Sequence, residues 1–132
     1  MANYCRSPVA EYLFKEKFPS FDFYSAGLAP LAKSEMDPKS AHFLSSKKIN
    51  FHIHNPKKIT LDMVEKCDLI LAMDTTVLIN LNNMFKKFSS KIMLFNHQQP
   101  KKHIRDPYRM PDKEYREVME KIYDIVADFE LQ

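Results

Sequence analysis

The sequence predicts an α/β domain, three layers of α/β/α around a short parallel sheet. Two continuous apolar runs, "DLILAM" and "KIMLF", read as strands covered on both faces. Segments with helical spacing of apolar residues stand between and around them. The 132-residue chain is 45% hydrophobic and 28% charged, which suits one globular domain, 1–132, with a single core.

Ser7 suits a helix cap and Pro8 a first helical turn. Val9, Ala10, Leu13, Phe14 and Phe18 then recur at helical spacing, predicting a helix over 7–18. "FDFYSA" alternates from Phe21 and stops at Gly27, which predicts a strand. A helix follows from near Asp37, with Ala41, Leu44 and Ile49 as its apolar positions. "HNPKKIT" reads as a loop, followed by a short helix over 60–66. Next come the strand "DLILAM", the helix "TTVLINLNNMF" and the strand "KIMLF". "NHQQPKKHIRDPYRMPD" is a long polar loop. The last helix begins near Asp112 and turns Tyr115, Val118, Met119, Ile122, Tyr123, Val126 and Phe129 to the core. Three strands are thus visible, and the first helix opens on a loop suited to anions with no strand feeding it.

Composition narrows the function. A net charge of +3 with scattered basic residues does not point to nucleic acid. A single glycine, Gly27, excludes a Gly-rich dinucleotide fold. Cys5 and Cys67 form no disulfide framework, and the five histidines make no zinc pattern, so neither metal nor cofactor is expected. No apolar run is long enough for a signal peptide or a bilayer span. A reduced, cytoplasmic protein with no membrane partner is the expectation.

The chemistry concentrates at "CRSP", where a thiol, a guanidinium, a hydroxyl and a helix-starting proline follow one another at 5–8. Taken singly, these residues are unremarkable. Cys5 reads as a small buried hydrophobe, Ser7–Pro8 as a helix start, Asp106–Pro107 as a turn, and His54 as a solvated or core side chain. Cys67, leading into an apolar strand, reads as structural. Their joint order says more. "NYCRSPVAEYLF" resembles the start of the low-molecular-weight protein tyrosine phosphatases, whose phosphate loop reads C-x-x-N-x-C-R-S-P-x-A-E after an apolar strand. "SAG" at 25–27, "HNPKKI" from His54, "LAMD" ending at Asp74 and "DPY" at 106–108 match that family's pattern in order.

The resemblance implies a phosphotyrosine phosphatase I-like fold. It implies hydrolysis of a phosphotyrosine protein or a small aryl phosphate through a cysteine–phosphate intermediate, releasing inorganic phosphate. By resemblance, Arg6 and Asp106 are catalytic, and Asn3, Tyr4, Cys5, Arg6 and Ser7 bind phosphate. His54 supports the loop through Asn3, and Leu31 and Tyr108 line the substrate slot. Cys5 resembles the second loop cysteine, which forms a reversible disulfide with the nucleophile. Lys101, Lys102, Arg105 and Arg109 favour an acidic substrate face.

Counting back from Arg6, the C-x5-R spacing asks for a cysteine one position before Met1. The nucleophile and the first strand are therefore expected to be absent from this chain, through a late start site, a truncation or natural loss. As it stands, the chain is expected to be inactive. The gap left in the sheet is expected to give poor stability, an altered strand order or a homo-oligomer. The alternative function is a non-catalytic phosphate- or phosphopeptide-binding module. Arsenate reduction ranks lower, because it needs a further redox cysteine pair and only Cys67 is available.

Overall fold

The structure, a computed structural model, describes residues 4–29, 35–51 and 56–131. In chain order it contains helices α1 (Arg6–Lys17), α2 (Pro38–Ser46) and α3 (Leu61–Lys66), strand β1 (Ile70–Ala72) and helix α4 (Thr75–Met84). A 3-10 helix (Lys86–Lys91), strand β2 (Ile92–Leu94) and helix α5 (Asp112–Asp128) follow. The class is α/β with a short parallel sheet, as the sequence predicts. The chain divides into two compact units: Met1–Lys58 with Arg105–Gln132, and Ile59–Ile104.

The first unit is built from α1, α2 and α5, each packed on the other two. Val9, Leu13 and Phe14 of α1, Phe43 and Leu44 of α2, and Tyr115, Val118, Met119, Ile122, Ile125 and Val126 of α5 are buried. Burying each such large apolar side chain stabilises the fold by about 1.5–3 kcal/mol before entropy is counted. The Phe14 ring stacks on Phe23 at 5.2 Å and meets the Phe129 ring edge-on at 5.1 Å.

Helix α1 starts earlier than the sequence suggests. Cys5, not Ser7, holds the cap position, and it makes no side-chain cap bond. Pro8 still lies in the first turn, where its missing N–H costs nothing, so the start can move upstream. Helix α2 begins as expected: Asp37 caps it by accepting from Lys39 N–H at 2.9 Å. The end of α5 is closed from α1, because Lys17 Nζ donates to the carbonyls of Val126 at 2.9 Å and Phe129 at 2.8 Å, and also to Ala127.

The predicted strand at 21–26 does not form. Its alternation is present, with Ser25 buried and Tyr24 70% exposed, but a ladder needs a partner. What is present among the described residues is an isolated parallel bridge between Gly27 and Lys58, with Gly27 N–H donating to Lys57 C=O at 2.7 Å.

The second unit holds the sheet. β1 and β2 run parallel in the register Ile70↔Ile92, Leu71↔Met93 and Ala72↔Leu94. Thr60 caps α3 through Met63 N–H, and Asp74 caps α4 through Val77 N–H. Val64, Ala72, Met73, Leu81, Ile92, Phe95 and Ile104 are its buried apolar residues. The strands are shorter than the apolar runs suggest, and β2 is not covered on both faces, since Met93 is exposed. The 3-10 helix "KKFSSK" has no apolar period and escapes a sequence reading. Among the described residues no helix is long and apolar enough to cross a membrane.

Candidate functional site

The first unit gathers most of the described residues that the sequence singles out. Tyr4 and Ser7 are half-buried, and Cys5 and Arg6 are buried at the start of α1. Helix geometry leaves the N–H groups of a first turn without helical acceptors, and the macrodipole makes that end attractive to anions. The first turn of α1 carries no acidic residue that would oppose an anion. Arg6 is 4% exposed and has a partner within the protein.

The start of α2 supports this loop. Asp37 N–H donates to the Tyr4 carbonyl at 3.0 Å, and Cys5 Sγ donates to Asp37 Oδ2 at 3.7 Å. Ser40 Oγ donates to the Cys5 carbonyl at 2.9 Å and lies 2.6 Å from the Tyr115 hydroxyl of α5. Burial pushes the Cys5 thiol up to about 12, the charges of Asp37 and Asp106 add to the rise, and a hydrogen bond with Tyr115 opposes it. Burial also raises Tyr115, with Cys5 adding to the rise. Tyr4 is raised by burial first and by the Asp37 charge second.

Asp106 comes to the same unit from the far end of the sequence. It is exposed, and its Oδ1 accepts from Tyr108 N–H at 3.2 Å. Pro107 between them is fully buried and anchors the turn. The Tyr108 ring meets the Tyr4 ring edge-on at 5.9 Å, which joins the Asp106 turn to the loop before α1. Arg109 takes a left-handed backbone (φ 65°), and its guanidinium lies 5.2 Å from the centre of the Tyr108 ring. Lys39 of α2 ties the turn down by donating to Met110 C=O at 2.7 Å and pairing with Asp112 at 2.9 Å.

Tyr4, Cys5, Arg6, Ser7, Asp106 and Tyr108 therefore lie in one unit, with direct ring contact between its two halves. Asn3, Leu31 and His54 lie outside the described residues. Sequence reasoning missed Asp37, Ser40 and Tyr115 as partners of the loop. A signal existed: Ser40 sits on the apolar stripe of α2 with Phe43 and Leu44, and a hydroxyl there needs a partner. Among the described residues no group of three or more His, Cys, Asp or Glu side chains could hold a metal ion. The arrangement offers helix-start N–H donors, with buried Arg6 among them and the Asp106 carboxyl on the adjoining turn.

A profile of the low molecular weight phosphotyrosine protein phosphatases matches residues 1–130. The low molecular weight protein-tyrosine-phosphatase Wzb of Salmonella typhi is 33% identical over 126 residues, which is 96% of this chain and 82% of that protein. The crystal structure of the tyrosine phosphatase Wzb from Escherichia coli K30 with sulphate is similar at a TM-score of 0.90 and 28% identity, covering 96% of this chain and 89% of that one. The same enzyme with phosphate gives a TM-score of 0.84 and 30% identity, covering 96% and 88%.

Proposed function

The chain belongs to the low molecular weight phosphotyrosine protein phosphatase family, and from that membership we propose that its site handles the phosphoryl group of a phosphotyrosine protein or a small aryl phosphate. The observation that carries the reading is the Tyr4–Tyr108 contact, which puts the Asp106 turn against the loop before α1. That the similar Escherichia coli K30 Wzb has been crystallised with sulphate and with phosphate supports an anionic ligand.

In this reading the N–H groups around residues 4–7, with Asn3, hold the phosphate oxygens, and Arg6 stabilises the charge of the transferring group. Tyr108 lines the slot for the ring. In the family pattern a cysteine thiolate attacks phosphorus, and an S–P bond forms as the O–P bond to the phenol breaks. Asp106 gives its proton to the departing oxygen. The Asp106 carboxylate then takes a proton from water. The water oxygen attacks phosphorus, the S–P bond breaks, and inorganic phosphate leaves with the thiolate restored.

The attacking sulfur of that pattern belongs one position before Met1. Cys5 is no substitute, because its thiol is pushed up to about 12 and stays protonated at neutral pH. For a polypeptide of residues 1–132 alone, the reading is phosphate binding without turnover. Placing an apolar segment ending in cysteine directly before Met1 is expected to confer hydrolysis of p-nitrophenyl phosphate. In that extended protein Asp106→Asn is expected to lower kcat by about 10²–10⁴. Turnover by residues 1–132 alone, or none after the extension, overturns the proposal.

A further inference from the structure

Two consecutive carbonyls of the loop before α1 are held from the start of α2. Asp37 N–H takes the Tyr4 carbonyl at 3.0 Å, and Ser40 Oγ takes the Cys5 carbonyl at 2.9 Å. Ser40 and Tyr115 are both among the fully buried side chains. A serine hydroxyl has one proton, and here it goes to the Cys5 carbonyl. While the Cys5 thiol keeps its own proton, the single Tyr115 proton is free for Ser40 Oγ, 2.6 Å away, and the serine, whose proton is spent on the carbonyl, accepts it. Met119 Sδ, 3.9 Å from Ser40 Oγ, is the weaker acceptor for the same serine proton. The order is Tyr115 O–H to Ser40, then Ser40 O–H to Cys5 C=O.

A planar trans peptide points its C=O and its N–H in opposite directions, and no cis peptide occurs among the described residues. Holding the Cys5 carbonyl toward α2 thus turns the Arg6 N–H away from α2. The Tyr4 carbonyl does the same for the Cys5 N–H. Successive N–H groups turned together make a concavity for an anion. A flipped Cys5–Arg6 peptide would present an oxygen there instead.

We infer that Ser40, oriented by Tyr115, is a positioning residue for phosphate: it locks the Cys5–Arg6 peptide so that the Arg6 N–H faces the anion. This rests on the reading of residues 4–7 as a phosphate loop. Neither hydroxyl needs to touch phosphate. Tyr115 acts through Ser40, by fixing where the serine proton points.

The test is a titration of inorganic phosphate into the wild-type chain, Ser40→Ala, Tyr115→Phe and the double variant. Calorimetry reads affinity, and NMR follows the Arg6 amide. Neither substitution adds volume to the core, and Tyr115→Phe keeps the ring in place. In the wild type the Arg6 amide proton is expected to move downfield as phosphate binds. Ser40→Ala is expected to weaken phosphate about fivefold and to shrink that shift. Tyr115→Phe is expected to weaken it about two- to fivefold. The double variant is expected to be no weaker than Ser40→Ala, because the two hydroxyls act in series. A purely structural role would give additive losses and leave the Arg6 shift intact. Unchanged affinity in Ser40→Ala, an unchanged Arg6 shift or additive losses overturn the inference while leaving the phosphate loop standing. Silence of the wild-type chain toward phosphate overturns the loop reading itself, and the inference with it.

Discussion

The Asp37 carboxylate, which accepts from Cys5 Sγ, favours the protonated thiol, whereas a hydrogen bond with Tyr115 favours the thiolate. Burial decides the outcome and pushes the thiol from its ordinary value of 9.0 to about 12. A thiol that holds its proton more tightly in the folded state stabilises the fold while protonated. That contribution is complete below about pH 9 and is lost as pH rises toward about 12. The urea midpoint of the wild type is therefore expected to fall more steeply across this range than that of Cys5→Ala. Parallel profiles for the two proteins would mean that the thiol titrates normally. At this scale the sequence singled out Cys5, Arg6 and Asp106 through motifs that resemble the family pattern. It hid Ser40 and Tyr115, because a single hydroxyl on an apolar stripe looks like core until its partner is seen.

Helix α5 was the most legible element, since its apolar positions recur at helical spacing and reach the core, except that Tyr123 is only half-buried and Ile125, outside the predicted face, is buried. Its C-terminus was not legible. α5 has no basic residue in its own last turn, and the cation that serves its carbonyls, Lys17, comes from α1, 109 residues earlier in the sequence in its bond to Val126. Lys17→Met keeps much of the stem's apolar surface and removes those bonds. It is expected to cost about 1–2 kcal/mol, read from urea unfolding. A loss within error would show that water replaces the ammonium without penalty. The segment at 21–26 shows the opposite limit. Its alternation was correctly seen, but a strand is a pairing, and one segment's pattern does not reveal whether a neighbour exists.

At the scale of the whole molecule, the two units differ in what holds them. The first has three mutually packed helices with a broad apolar core, whereas the second has two three-residue strands and short helices. Native-state hydrogen exchange is expected to release the amides of β1 and β2 well before those of α1 and α5. Equal protection in both would show that they open as one cooperative body. Periodicity made the order of the α-helices and of β1 and β2 legible, but not this division, which depends on contacts between distant segments. The first unit is assembled from opposite ends of the chain. On the ribosome, Cys5 and Ser40 emerge early and wait for Tyr115. Until the last helix is synthesised, the Cys5 thiol lacks its cover and keeps ordinary reactivity, so the nascent chain is open to oxidants that the finished fold shuts out.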